Sequence, residues 1–455
     1  MFSKVAINNR GAVAQRVIRA LRALKVKSVI FCSEADQELP YVKEADEFVV
    51  LGPAAPLESY LNHDRVIAAL KACRAEALHP GYGFLAEDAA FALKLQELGI
   101  VFIGPDPQHL KVFGDKVLAR QEMASRGLPV NPATGLLVGT LEERLAIAKA
   151  HGFPLLVKPA GGGGGIGMIP VHAPDKLAAA LETAASQAQR GFGRAELYAE
   201  RLIVNPRHVE FQIVADGQMG FHLFERDCSI QRRRQKIVEE AGAPSLDRAG
   251  LTVIAELAAK VMADIGYNHV GTVETLYGAE TGYAFLEVNP RLQVEHAVTE
   301  EITGYDLVET QLQLASGAKV ADLPPAPEAP RGHAVEVRVY AEDSRRFLPS
   351  PGLLKVFRPP TGPNVRVETG FIEGARVTPF YDPMVAQVIA KGSDRKEAIK
   401  TLKEALNAFE IEGIKTNLIF LKALLEYPPF LDGEPRTEMA EELLKEPSYQ
   451  ALWSA

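Results

Sequence analysis

Two acidic residues, Glu274 and Glu287, lie in neighbouring apolar runs, Gly271-Thr-Val-Glu-Thr-Leu-Tyr277 and Tyr283-Ala-Phe-Leu-Glu-Val-Asn289. A turn-like Gly278-Ala-Glu-Thr-Gly282 separates them. A hairpin centred between Glu280 and Thr281 sets the two acids opposite each other, with Cβ atoms about 5 Å apart. Like charges at that spacing repel, and a divalent cation turns the repulsion into binding. Asn289 falls on the same face by the strand period of two. Ligands made only of oxygen suit Mg²⁺ or Mn²⁺. On spacing alone a solvated strand face is the alternative, and the register could slip by one.

The next segment, Asn289-Pro-Arg-Leu-Gln-Val-Glu-His296, alternates Arg291, Gln293 and Glu295. They share a face if the chain stays extended. Arg291 can grip a planar oxyanion with two parallel bonds, and Glu295 beside it can act as a general base. Upstream, Gln231-Arg-Arg-Arg-Gln-Lys236 holds four cations in six residues. Alternation aims Arg232, Arg234 and Lys236 one way, toward a polyphosphate or other anion. A nucleic-acid patch is disfavoured by the chain's net charge of −8 and the lack of interleaved aromatics. In Gly332-His-Ala-Val-Glu-Val-Arg-Val-Tyr340 the valines take one face and Glu336 and Arg338 the other. Taken alone, that pattern reads as a solvated strand face.

Between Val157 and Met168 stand six glycines, Gly161 to Gly165 and Gly167. A flexible linker is one reading, but the flanks, Pro154-Leu-Leu-Val-Lys158 and Met168-Ile-Pro-Val171, are apolar. They predict strand, glycine loop, strand. A Walker A loop needs Gly-Lys-Ser/Thr entering a helix, which is absent. The Rossmann turn also enters a helix. A glycine loop between strands can instead fold over phosphates as a lid, its bare amides approaching oxygen atoms closely. Lys116 and Lys158 are the candidate cations beside it; either alone could equally be a surface lysine.

These residues need a scaffold. The first hundred residues alternate strand and helix, with strands at 4–8, 28–32, 47–51, 75–78 and 100–103. That series predicts a doubly wound parallel sheet, without a GxGxxG dinucleotide mark. Asp115 caps a helix that stops at Gly127, and Thr140-x-x-Glu143 is a capping box. A small α+β unit spans about 130–202, and a strand-rich region follows Asn205-Pro206. The fold class is therefore mixed α/β and α+β. With 455 residues, 47% hydrophobic and 24% charged, the chain is expected to form about three globular domains. Three distant cysteines predict free thiols in a reducing compartment. No apolar run is long enough for a bilayer and no signal peptide is evident, so a cytoplasmic protein is expected.

Several motifs together resemble biotin carboxylases, which are ATP-grasp ligases. They are HPGYGFLAED (79–88), FIGP (102–105), GDK (114–116), the glycine loop, NPRHVE (205–210), ERDCSIQRRRQK (225–236), EVNPRLQVEH (287–296), RGHAVEVR (331–338) and YDPM (381–384). The resemblance covers nearly the whole chain. It implies an N-terminal α/β domain over 1–112 and a linker helix with the ATP-grasp lid over 113–202. It further implies an ATP-grasp core over 203–330 and a C-terminal strand-rich subdomain over 331–446.

It also implies roles. ATP would contact Lys116, Lys158, Gly163, Gly164, Gly165, His208, Gln231 and Arg234, with Glu200, Leu202 and Ile203 at the adenine hinge. Mg²⁺ or Mn²⁺ would sit on Glu274, Glu287 and Asn289. Bicarbonate would be held by Lys236, Arg291, Gln293 and Val294 and deprotonated by Glu295. Carrier-borne biotin would lie near Tyr82, Gly83 and Arg338, with Arg338 stabilising its ureido oxyanion. No Met-Lys-Met biotinylation motif is present. A separate biotin carboxyl carrier protein and a carboxyltransferase subunit are therefore expected; the resemblance further implies a homodimer, while the acidic charge and the lack of a bilayer-length apolar run leave neither nucleic acid nor membrane as partner.

Some positions depart from the family pattern. Ile166 stands where many members have Arg, and an Ile there is more like the urea-carboxylase branch. Arg234 replaces a position often His or Asn, and its charge is expected to compensate. Gly242, Asn8 and Ala12 also differ. Two rivals share parts of the pattern: another ATP-grasp ligase joining a carboxylate to an amine, which needs neither Arg338 nor Tyr82, and a non-catalytic nucleotide-binding scaffold.

Overall fold

The structure is a computed structural model that describes residues 1–161 and 166–453. Its N-terminal sheet contains β1 (Lys4–Ile7), β2 (Lys27–Ser33), β3 (Glu47–Gly52), β4 (Ala77–His79) and β5 (Val101–Phe102). All neighbours pair in parallel, in the order β3-β2-β1-β4-β5. The predicted doubly wound sheet is thus present. The chain winds outward from β1 and then returns to the far side of it at β4. That reversal opens a crevice beyond the carboxyl ends of β1 and β4, the usual ligand position in such sheets.

Two of the predicted site residues, Tyr82 and Gly83, stand just beyond β4 at this crevice. Asn9, just beyond β1, donates to the carbonyls of Pro80 and Tyr82, both at 2.7 Å. Gly81 has φ +64°, and a Cβ there would lie 2.7 Å from Asn9 Nδ2. The turn therefore requires glycine.

The lid unit is an antiparallel sheet of β6 (Ala133–Leu136), β7 (Leu155–Pro159), β8 (Ile169–Val171) and β9 (Leu197–Arg201), ordered β6-β9-β7-β8. Its helices, Leu141–His151 and Leu177–Phe192, pack on one face around Leu155, Val157, Val171 and Leu181. The capping box forms, with Thr140 Oγ1 accepting from the Glu143 amide. β7 and β8 pair antiparallel on either side of the glycine loop, as predicted. Gly163, Gly164 and Gly165 lie outside the described residues.

The largest sheet has eight strands. Its labelled members are β10 (Arg207–Ala215), β11 (Gly220–Arg232), β12 (Gln235–Ala241), β13 (Val270–Gly278), β14 (Gly282–Asn289) and β15 (His333–Tyr340). The order is β14-β13-β10-β11-β12-β15, continued by the Met384–Gly392 and Val365–Glu368 strands. The strand-rich C-terminal region thus extends the same sheet that carries the acids. Helix Arg248–Asp264 packs on β10 and β11, burying Leu251, Ile254 and Met262. Helix Arg395–Ala408 packs on β15 and the Met384–Gly392 strand. Among the described residues, no helix is long and apolar enough to cross a membrane.

Candidate functional site

Strand pairing builds a row of carboxylates. Glu210 on β10 faces Glu274 on β13, which faces Glu287 on β14. Directly opposed positions share a face, so three acids stand side by side across three strands. The hairpin is tighter than expected: Gly278 pairs with Gly282, centring the turn on Glu280. A bulge between Glu274 and Thr275 restores the Glu274–Glu287 pair. Glu210 was not anticipated as a site residue. Its alternation with His208 in NPRHVE was the available signal.

Cations answer this row. The Lys236 ammonium donates to Glu210 Oε2 at 2.5 Å, Glu295 Oε1 at 2.7 Å and Glu274 Oε1 at 2.8 Å. Lys116 donates to Glu287 Oε2 at 2.9 Å. His208 Nε2 stands 2.9 Å from Glu274 Oε2. Gln231 Nε2 donates to the Cys228 carbonyl and approaches His208 Nδ1 at 2.7 Å, which leaves Nε2 to carry the imidazole proton toward Glu274. From behind the row, the buried Arg226 donates to Glu210 Oε1 at 2.6 Å.

Burial alone would raise all these carboxyls. At Glu274 the Lys236 ammonium and His208 overcome it and hold the group well below the carboxylate range. At Glu295, Lys236, then Arg338 and Arg226, do the same. At Glu210 burial prevails over Lys236 and Arg226, and its carboxyl is raised.

The segment after β14 is a turn, which corrects the expectation of extended chain. Arg291, Gln293 and Glu295 nevertheless converge. Arg291 donates to Asn289 Oδ1 and Gln293 Oε1, both at 2.9 Å, and pairs with Glu87 at 2.5 Å. Gln293 Nε2 and Asn289 Nδ2 both donate to Glu274 Oε1, at 3.0 and 2.7 Å. The Val294 carbonyl accepts from Gln387 Nε2 at 2.8 Å.

Beyond Glu295 comes Arg338, whose Nη2 lies 3.0 Å from Glu295 Oε2 and whose Nε donates to Glu239 Oε1 at 2.7 Å. The solvated-face reading of β15 therefore fails: Glu336 is fully buried and Arg338 nearly so. Mid-sheet placement covers both faces of that strand.

The alternation expected for Arg232, Arg234 and Lys236 also fails. β11 and β12 are joined by a two-residue turn at Arg233 and Arg234, both with positive φ, 51° and 65°. Lys236 pairs with Gln231, while Arg232 pairs with Gln235 on the other face and binds Glu342 at 2.7 Å. Arg234 Nη2 donates instead to the Met168 carbonyl at 3.0 Å, tying this turn to the residue entering β8.

At the lid, Lys158 is buried, 3.1 Å from Glu200 Oε2 and over the Tyr198 ring at 5.5 Å. The surface-lysine reading therefore does not hold for Lys158. The Glu200 carboxylate is committed to that lysine. Leu202 and Ile203 follow β9 and line the same cavity.

One cavity of about 760 Å³ gathers Tyr82, Gly83, Lys116, Lys158, Glu200, Leu202, Ile203, His208, Gln231 and Arg234. It also takes in Lys236, Glu274, Glu287, Asn289, Arg291, Gln293, Val294, Glu295 and Arg338. Apart from Arg232, every described residue expected at the site thus lines a single cleft of ligand size.

Comparison with known proteins decides the family. The model described as biotin carboxylase, N-terminal domain, matches residues 1–110, and that of the biotin carboxylase C-terminal domain matches 336–442. Between them, residues 115–323 match the ATP-binding domain of the carbamoyl-phosphate synthase L chain. A biotin carboxylase of Halalkalibacterium halodurans is 46% identical over 448 residues, covering 98% of each chain. The chain belongs to the biotin carboxylase family.

Solved biotin carboxylase structures agree. The biotin carboxylase domain dimer of Hydrogenobacter thermophilus 2-oxoglutarate carboxylase, in complex with MgADP, ADP and bicarbonate, superposes with a TM-score of 0.93 at 38% identity. It covers 98% of this chain and 99% of its own. The Campylobacter jejuni biotin carboxylase in a β,γ-ATP complex gives the same score and identity, covering 97% and 99%.

Proposed function

We propose that this biotin carboxylase uses ATP, a divalent ion and bicarbonate to carboxylate biotin on a separate carrier protein. The carrying observation is two runs of charged contacts, Lys116–Glu287 and Glu274–Lys236–Glu295–Arg338, brought together by the direct pairing of Glu287 with Glu274 on the ladder. It joins a phosphate-type site to a base and then to a guanidinium within one cleft.

Bicarbonate is a poor electrophile, so its oxygen first attacks the ATP γ-phosphorus and ADP leaves. Lys116 and Lys158, with His208, Gln231 and Arg234, support the polyphosphate. Glu274, Glu287 and Asn289 offer hard oxygen donors that fit Mg²⁺ or Mn²⁺, which would offset charge in phosphoryl transfer. Arg291, Gln293, the Val294 backbone and Lys236 orient bicarbonate, and Glu295 accepts its proton. An anion drawing Lys236 away from Glu295 strengthens that base, because this ammonium is the leading group that depresses it. The C–O bond of carboxyphosphate then breaks to give CO₂ and inorganic phosphate beside biotin near Tyr82 and Gly83; the phosphate takes the ureido N–H proton, and the nitrogen attacks CO₂. Arg338 stabilises the ureido oxyanion. The glycine lid limits hydrolysis of carboxyphosphate.

The same reading divides the chain at about 112, 202 and 330. It also calls for a biotin carboxyl carrier protein, a carboxyltransferase, a homodimer and a cytoplasmic setting. The test is ADP release by purified protein with ATP and Mg²⁺. Bicarbonate must be required, and free biotin must stimulate the rate. ATP turnover indifferent to bicarbonate refutes the proposal.

A further inference from the structure

Behind Arg338 lies a second pair of acids. Glu239 on β12 and Glu336 on β15 are directly opposed on the antiparallel ladder, and both are fully buried. Each uses one oxygen: Glu239 Oε1 accepts from Arg338, and Glu336 Oε1 accepts from Gln387 Nε2 at 2.6 Å. Their other oxygens, Glu239 Oε2 and Glu336 Oε2, have no hydrogen-bond partner among the described residues.

The surroundings do not supply enough positive charge for both. Lys236 on β12, Arg338 on β15, Arg226 on β11 and His208 on β10 give at most four cations, and Arg291 beyond β14 is already paired with Glu87 and so adds no net charge. Five buried carboxyls, Glu210, Glu239, Glu274, Glu295 and Glu336, face them. The other titratable neighbours, Tyr82, Tyr340, Cys228 and Asp382, add no positive charge. Gln387, on the Met384–Gly392 strand, is neutral. One acid is in excess, and the two bare oxygens belong to residues directly opposed on the same ladder. A single proton between them removes one charge and satisfies both oxygens.

We propose that Glu239 and Glu336 share one proton and act together as positioning residues for Arg338. The Glu336 hydroxyl donates to Glu239, whose other oxygen fixes the guanidinium. Gln387 extends the unit to the bicarbonate turn, since its Nε2 also donates to the Val294 carbonyl at 2.8 Å. Burial, then the Glu239 charge, pushes Glu336 well above its ordinary value. Burial moves Glu239 up to about 7 against the pull of Arg338. Loss of the shared proton at alkaline pH places a second negative charge behind Arg338 and weakens its hold on a developing oxyanion. Biotin-dependent turnover then declines, while ATP cleavage without biotin is affected less.

The proposal rests on reading Arg338 as the group that faces biotin. Its test uses the full-length protein. Wild type at neutral pH shows the infrared C=O stretch of a protonated carboxyl, which disappears in Glu336→Gln. That variant keeps a neutral donor, so its biotin-dependent activity extends to higher pH. Glu336→Leu offers no donor, and its biotin-dependent kcat drops about tenfold or more with little change in the ATP KM. Absence of the infrared difference, or Gln and Leu variants equally impaired with the wild-type pH profile, overturns the proposal. An intact infrared band beside an Arg338→Gln variant that keeps full biotin-dependent turnover refutes the assignment of Arg338 and leaves the shared proton standing.

Discussion

Lys236 and Glu295 meet at 2.7 Å, and the same ammonium also holds Glu210 and Glu274. One cation thus joins the candidate base to the candidate metal-binding acid. Anything that draws this lysine away changes the electrostatic setting of both acids.

Lys236→Gln leaves three buried carboxylates without their shared partner. Breaking a buried ionic cluster by removing one member costs about 3–5 kcal/mol. Urea unfolding is expected to show a lower midpoint, and bicarbonate-dependent ADP release is expected to fall about 100-fold or more. A variant with wild-type stability and rate would contradict the shared role.

Arg338 is expected to separate two half-events. Arg338→Gln should reduce biotin-stimulated ATP cleavage about 100-fold. The slower cleavage without biotin should fall much less. Steady-state assays with and without biotin measure both. An equal loss in the two assays would move Arg338 from the biotin side to the bicarbonate side.

Arg234 ties the β11–β12 turn to Met168 at the end of the glycine loop. Arg234→Asn is expected to raise the ATP KM clearly, about tenfold, if the proposed phosphate contact is lost together with the lid contact. An unchanged KM refutes compensation for Ile166.

Glu240 tests the scaffold. Burial would raise its carboxyl, but hydrogen bonds from His333 and Arg395 hold it down to about 2. A depressed carboxyl contributes stability that is complete above its unfolded value near 4.5 and is lost as pH falls toward 2. The shift corresponds to about 3 kcal/mol. Glu240→Gln should therefore lower stability at neutral pH and flatten its dependence across that acid window. Urea midpoints measured from pH 6 down to pH 3 (roughly the accessible part of the window) check this. Parallel curves for the variant and wild type would contradict it.

The sequence made the parallel sheet and the facing acids legible because both rest on short-range periodicity. The Glu274–Glu287 pair was reached through two departures that cancel, a tighter turn and a bulge. Simple alternation misplaces Arg232, because Arg233-Arg234 carries none of the Asn-Gly signal that marks a two-residue hairpin turn. The polar face of β15 looked solvated because alternation reports sidedness, not what covers each side. Glu239 and Gln387 carry no local signal, and Glu210 only its alternation with His208, because they act through partners more than a dozen residues away in the chain.

The central claim is that bicarbonate is phosphorylated in this cleft. The most direct measurement is oxygen transfer from ¹⁸O-labelled bicarbonate during ATP turnover with biotin. The account predicts one labelled oxygen in each inorganic phosphate released, and no transfer when Glu295→Gln blocks turnover. Phosphate that stays unlabelled while biotin is carboxylated would contradict it.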